Sequence, residues 1–320
     1  MSFAKDSKLQ IIETDIEDAD CGQAFLSGLL HACGTITKNA EGIRLDVVTD
    51  FKEVFEFLNR LVNRLYGQKL SLEISDDYII NKTTYYRIKF PYDISLQVLK
   101  DCSLISQNGE LSFVAEIDNN LVADDETKKS FIKGAYVGCA TSSIKLSELG
   151  SASPTTGYHV EFSSHKLEFL QGLQGLLQYF DITSKIALRK KVYVLYLKDS
   201  EAIKDLLALV GAQQSVLDLS DEMAKRDLRN TVNRQVNCIN ANINKTVEAS
   251  LKQIQAINYI NKKIGLESLP EDLQEVAALR LANPQESMDE LLKLSTIKLT
   301  KSGLNHRFRR ILKIAEILKG

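Results

Sequence analysis

The chain has 320 residues, 44% of them hydrophobic and 26% charged, with a net charge of −2, the profile of a soluble globular protein large enough for two or three domains. No apolar run reaches the ~18 residues that a bilayer span needs, and the polar, acidic stretch 1–20 is not a signal peptide. Five scattered cysteines without a Cys-x-x-Cys pair give no metal signature and fit a reducing, cytoplasmic setting.

In chain order, the apolar spacing predicts a helix over 16–33, entering on Asp18 or Asp20 and stopped by Gly34. A strand over 42–49 follows, with Ile43, Leu45 and Val47 on one side. An amphipathic helix over 51–66 carries Val54, Phe55, Leu58, Leu61, Val62 and Leu65 at helical spacing, and Gly67 ends it. Strands over 70–74 and 84–90 flank a turn at Asp76-Asp77, and a short helix over 94–103 follows Pro91. The order then recurs: helix 127–139, strand 158–162, amphipathic helix 165–180, strands 183–188 and 192–197 around the basic turn Arg189-Lys190-Lys191, and helix 200–210. The long Ser- and Thr-rich stretch 142–157 reads as a mobile surface loop.

Residues 211–220 read as a linker, after which the chain turns helical. The Asn-rich stretch 221–258 suggests two helices with a break at 240–244. A helix over 270–281 has Pro at its first turn. Ser287, with Glu290 as a capping box, starts a short helix over 288–294. After a turn at 295–299, Thr300 or Ser302 caps the last helix, 303–318.

Two features stand out. First, Phe25-Leu26-Ser27-Gly28-Leu29-Leu30-His31-Ala32-Cys33-Gly34 recurs as Phe131-Ile132-Lys133-Gly134-Ala135-Tyr136-Val137-Gly138-Cys139-Ala140. Gly28 with Ala32, and Gly134 with Gly138, place small residues on one helix face, as two closely crossing helices require. Second, the charge is split. Residues 1–220 hold 23 basic against 30 acidic residues, whereas the last thirty hold 8 against 1. A short helix, a turn and a longer basic helix is the helix-turn-helix arrangement, in which the second helix enters the major groove. Lys301, Ser302, Asn305, His306 and Arg309 share one face of that helix, while Leu304, Phe308, Ile311, Leu312 and Ala315 lie on the buried side. Asn suits adenine and Arg suits guanine. Arg307, Arg310 and Lys313 suit phosphates, which position without specifying.

The repeated stretch resembles the LAGLIDADG motif of homing endonucleases, whose crossing helices each end in a metal-binding acid. Here those positions are Cys33 and Cys139. With the helical tail, the chain resembles the WhiA transcriptional regulators of Gram-positive bacteria. Arg229 to Ala249, with Asn233-Arg234, Asn237-Cys238, Ala241-Asn242 and Lys245, is similar to their linker-helix signature, and Leu299 to Phe308 to their recognition helix. The resemblance implies an α+β fold: a duplicated αββαββα LAGLIDADG-like domain over 1–212, with repeats at about 16–105 and 127–210, and an all-α domain over 221–320 with its helix-turn-helix at 287–318.

A nuclease of this kind needs hard oxygen ligands for Mg²⁺. Soft sulfur stands at both positions and no acid lies immediately beside either one. The acidic body also lacks the cations that grip phosphates, although 189–191 offers a local patch. The expectation is a protein that is not an enzyme and has no catalytic residue, metal or cofactor. It would bind double-stranded DNA in the cytoplasm, associated with the nucleoid and not the membrane, with RNA polymerase or another regulator as a protein partner. By the resemblance it would regulate cell division, chromosome segregation or sporulation. The alternatives are a residual metal-dependent nuclease, or an interaction scaffold for a polymerase or division protein.

Overall fold

The computed structural model describes residues 2–40, 42–74, 84–105, 113–146, 157–295 and 299–319. The Asp76-Asp77 turn and most of the 142–157 loop lie outside them. The chain divides into two compact units, Met1–Arg226 and Asp227–Gly320.

The first unit opens with α1 (Phe3–Glu13), which the sequence reading missed, and α2 (Ala19–Cys33), capped by the Asp18 side chain accepting from the Cys21 N–H at 2.8 Å. Strands β1 (Gly34–Asn39) and β2 (Gly42–Thr49) follow, then α3 (Lys52–Tyr66), β3 (Ser71–Ile74), β4 (Tyr86–Lys89) and α4 (Tyr92–Asp101). The second half runs α5 (Asp125–Cys139), β5 (Ala140–Ser142), β6 (Val160–Ser164), α6 (Leu167–Tyr179), β7 (Lys185–Arg189), β8 (Val192–Leu197) and α7 (Ser200–Leu209). The two antiparallel sheets have the same strand order, β1-β2-β4-β3 and β5-β6-β8-β7. The duplication therefore holds at the level of topology.

The first strand of each half escaped the sequence reading. β1 is largely exposed and β5 is three residues long, so neither carries a clear alternating pattern. Lys190 and Lys191 both take positive φ in the β7–β8 hairpin, as a two-residue turn of that kind demands.

The two repeated helices pack on each other through their glycines. A Cβ on Gly28 would fall closer than 3.0 Å to the carbonyl oxygen of Phe131, and one on Gly134 would do the same at Phe25. Around this crossing lies a core containing Phe25, Leu29, Phe57, Phe131, Phe162 and Phe169, all under 3% exposed. α1 closes over it through Phe3, Ile11 and Ile12, and Ser7 shares a 2.9 Å hydrogen bond with the Tyr136 hydroxyl.

The expected linker at 211–220 and the expected break at 240–244 are both absent. One helix, α8, runs unbroken from Gln213 to Ile264. Asn lowers helix propensity, but neither Gly nor Pro occurs between Gly211 and Gly265, so nothing ends the hydrogen-bond ladder. α9 (Glu271–Ala282), α10 (Met288–Leu294) and α11 (Lys301–Ile317) complete the second unit. Its core joins Ile257 and Ile260 of α8, Leu273, Val276 and Ala277 of α9, Leu291 of α10, and Leu304, Phe308 and Ile311 of α11. Among the described residues no helix is long and apolar enough to cross a membrane.

Candidate nucleic-acid interface

α10 and α11 stand at the expected positions of the two helices of the helix-turn-helix, and most of the expected turn at 295–299 lies outside the described residues. Ser287 caps α10, its hydroxyl accepting from the Glu290 N–H at 3.2 Å. The Glu290 carboxylate turns to Lys293, 2.9 Å away, and so serves an ion pair on the helix surface. Thr300, of the two candidate caps, starts α11 by accepting from the Gly303 N–H at 3.1 Å. At the far end the Tyr259 hydroxyl donates to the Leu318 carbonyl at 3.1 Å. Between these anchors Leu304, Phe308, Ile311 and Ala315 are buried, which fixes the rotation of α11 about its axis.

That rotation decides which side chains face outward. Ser302, Asn305, His306, Arg309 and Lys313 are exposed and share an arc of the helix. Three other cations on α11 are engaged by acids of the same unit. Arg307 Nε and Arg310 Nη1 lie 3.4 and 3.0 Å from the Asp272 carboxylate of α9. Lys301 Nζ lies 2.6 Å from Asp289 of α10. These pairs link α11 to α9 and α10, while Lys301 and Arg310 themselves remain exposed at the surface.

Sequence reasoning missed Arg280 beneath this surface. Leu273, Val276, Ala277 and Arg280 fall on one helical face, so the signal was a cation at a core position. Arg280 is only 2% exposed. Its Nε donates to Gln253 Oε1 at 2.9 Å, and its Nη1 to the Glu286 carbonyl at 2.7 Å. The guanidinium lies 5.3 Å from the centre of the Phe308 ring. Burial lowers its pKa from the usual arginine value.

The other candidate position is the end of the two repeated helices. Cys33 and Cys139 line a cavity of about 260 Å³ together with Lys8, Asp50, Tyr85 and Thr141. α1 supplies Lys8 and the end of β2 leads to Asp50, so the fold brings to the cysteines an acid and a base that sequence proximity did not reveal. Burial pushes both thiols up to about 12. Each is therefore a protonated thiol at neutral pH, and the Cys33 Sγ donates to the Leu29 carbonyl at 3.3 Å. Burial lowers the Lys8 pKa, opposed first by the Asp50 carboxylate. Among the described residues no group of three His, Cys, Asp or Glu is gathered that could hold a metal. Two protonated thiols, an amine and one carboxylate do not fit a hard divalent cation, which takes several oxygen ligands. The basic turn expected to touch DNA contains Arg189, whose Nη1 donates to Glu161 at 2.8 Å.

Comparison with known proteins follows this division. Residues 22–86 and 129–229 match the WhiA LAGLIDADG-like domain, and residues 232–315 match the WhiA C-terminal HTH domain. The "Probable cell division protein WhiA" of Bacillus velezensis is 35% identical over 320 residues, covering 100% of this chain and 98% of that one. Its namesake from Clostridium acetobutylicum is 33% identical, covering 100% and 99%. The crystal structure of full-length DUF199/WhiA from Thermotoga maritima superposes with a TM-score of 0.58 at 24% identity, over 99% of this chain and 98% of that one, and shows the shared fold. With both units matched and relatives aligned from end to end, the chain belongs to the WhiA family.

Proposed function

We propose that this protein is a sequence-specific DNA-binding transcriptional regulator, in which α11 reads duplex DNA and the LAGLIDADG-like domain is catalytically inert. The observation that carries the reading is the outward arc of α11. Ser302, Asn305, His306, Arg309 and Lys313 are exposed on a helix whose opposite side is locked into a core. Asn305 and Arg309, one turn apart, suit adenine and guanine edges, and Lys313 suits a phosphate. The relatives named as probable cell division proteins support a role in division, and the family resemblance extends it to chromosome segregation or sporulation. Such a regulator works at the nucleoid in the cytoplasm, with RNA polymerase or a second regulator as its protein partner.

The test is fluorescence anisotropy with duplex fragments recovered by chromatin immunoprecipitation. Asn305→Ala with Arg309→Ala is expected to weaken binding at least about tenfold and to erase preference among fragments, since each base contact is worth roughly 1–3 kcal/mol. Unchanged affinity and preference would remove α11 as the reader.

Asp50 in the helix-end cavity favours one competing reading, a residual metal-dependent nuclease. Plasmid incubated with the protein and Mg²⁺ is expected to stay intact. Cleavage that disappears in Asp50→Asn would establish the nuclease instead.

A further inference from the structure

From Thr231 to Lys245 every residue of α8 is exposed. This stretch precedes Ser250, where α8 first becomes buried in the second unit, so it stands as a helix in solvent over about four turns. Its composition is unlike that of a helix selected only to persist in water. Between Leu228 and Val247 there is no Asp or Glu, and there are six asparagines with Arg229, Arg234 and Lys245. Asn is among the poorer helix formers, because its amide competes for backbone hydrogen bonds. A solvated helix is ordinarily supported by Glu–Lys pairs four residues apart, and a segment without acids can form none.

The arrangement around the axis is ordered. Steps of three and four residues put Asn230, Asn233, Arg234, Asn237, Asn244 and Lys245 on one face. The apolar side chains Leu228, Val232, Val236, Ile239 and Ile243, between 47% and 68% exposed, lie on the other. Between Asp227 and Glu248, which bound it on the same side of the helix, this face thus offers amides, which both donate and accept, together with cations and no anion. That chemistry fits a polyanion bearing acceptor oxygens and repels none of it.

We propose that this face of α8 is a second nucleic-acid contact, which lies along the sugar-phosphate backbone of the duplex that α11 reads. The occupant is duplex DNA on the ground of charge complementarity, in a unit that already carries a helix-turn-helix. The proposal rests on the DNA-binding reading of that unit. The contact is sequence-independent: it adds affinity and salt dependence, and leaves base preference to α11.

The experiment uses the full-length chain and a mixed-sequence 40-base-pair duplex, with anisotropy read across a salt series. Arg234→Ala with Lys245→Ala is expected to weaken binding about tenfold at low salt. The slope of log affinity against log salt should become shallower by about 2, close to one for each phosphate contact removed. Asn233→Ala with Asn237→Ala is the companion variant. Alanine raises helix propensity at both positions, so circular dichroism should show equal or greater helix content while affinity falls. Unchanged affinity and slope in both variants would overturn the proposal. So would an equal loss from Ile239→Ala on the opposite face, since the effect would then belong to the helix as a whole.

The Asn305→Ala, Arg309→Ala variant runs in parallel. If it loses binding and the α8 variants do not, the α8 contact alone fails. If it keeps binding and the α8 variants lose it, the α11 reading fails and the α8 contact stands. If the unaltered chain does not bind the duplex, both fail.

Discussion

Arg280 donates from Nε to Gln253 Oε1 at 2.9 Å in a buried site, and so ties α9 to α8 directly under α11. The same guanidinium faces the Phe308 ring of α11 and donates to the Glu286 carbonyl before α10. One side chain therefore holds the helices that present the outward arc. Arg280→Ala would leave Gln253 and that carbonyl without their partner. It is expected to destabilise the second unit by about 3 kcal/mol, since hydrogen bonds to a charged group contribute roughly 1.5–3 kcal/mol and orphaned buried groups add to the loss. Amide hydrogen exchange in α9 and α11 of the full chain measures this. Unchanged protection there would show the guanidinium to be dispensable.

The glycine crossing gives a prediction with its own control. Backbone of the facing helix surrounds Gly28 and Gly134, and backbone cannot rotate away as a side chain can. Gly28→Ala or Gly134→Ala is expected to cost ~3 kcal/mol or more, the upper range for overpacking. Gly175 on α6 has open space where its Cβ would go. Gly175→Ala is therefore expected to stabilise by about 0.5–1 kcal/mol through helix propensity and unfolded-state entropy. Thermal unfolding midpoints should move in opposite directions.

His31 makes the first unit sensitive to acid. Burial, with the nearby Lys166 ammonium adding to it, displaces its imidazole from 6.5 down to about 4. Between those values the unfolded chain binds a proton that the folded chain refuses. Stability is thus complete above about pH 6.5 and falls as the pH drops, by about 3 kcal/mol once pH 4 is reached. His31→Leu is expected to flatten that slope, whatever it does to stability at neutral pH. Urea midpoints at pH 7.5 and pH 4.5 provide the comparison. A parallel fall in both proteins would acquit His31.

Asp272 separates cations that hold α11 from those that face outward. Asp272→Asn releases Arg307 and Arg310, whose guanidinium groups lie 3.4 and 3.0 Å away. It is expected to strengthen non-specific duplex binding by a few-fold at low salt, with a steeper salt dependence, because neutralised cations become available to phosphates. Unchanged affinity and slope would mean that Asp272 does not compete with DNA.

The sequence revealed more of this molecule where one helix carries its own signal than where distant elements meet. The amphipathic pattern of α3 and the cap at Ser287 are local and were legible, and the other two caps were narrowed to Asp18 or Asp20 and to Thr300 or Ser302. α1 was not, because its burial comes from a few separated contacts, such as Ser7 with the distant Tyr136 hydroxyl. β1 was hidden for the opposite reason: an exposed edge strand needs little apolar alternation. The asparagines of α8 point to a break on propensity alone, but no Gly or Pro enforces one. At the candidate site the exposed face of α11 followed from spacing alone. Its engagement by Asp272, the Arg280 support, and the arrival of Lys8 and Asp50 beside Cys33 and Cys139 depend on tertiary folding, which no sequence window contains.

Gly28 and Gly134 stand five residues before Cys33 and Cys139 on the same two helices, more than one turn away. Assembly of the two halves and the cysteine-lined cavity at the helix ends thus occupy different storeys of one column. Side chains at the upper storey can be exchanged while the lower storey continues to bear the fold. The residues at the helix ends therefore vary without cost to the glycine crossing that joins the two halves.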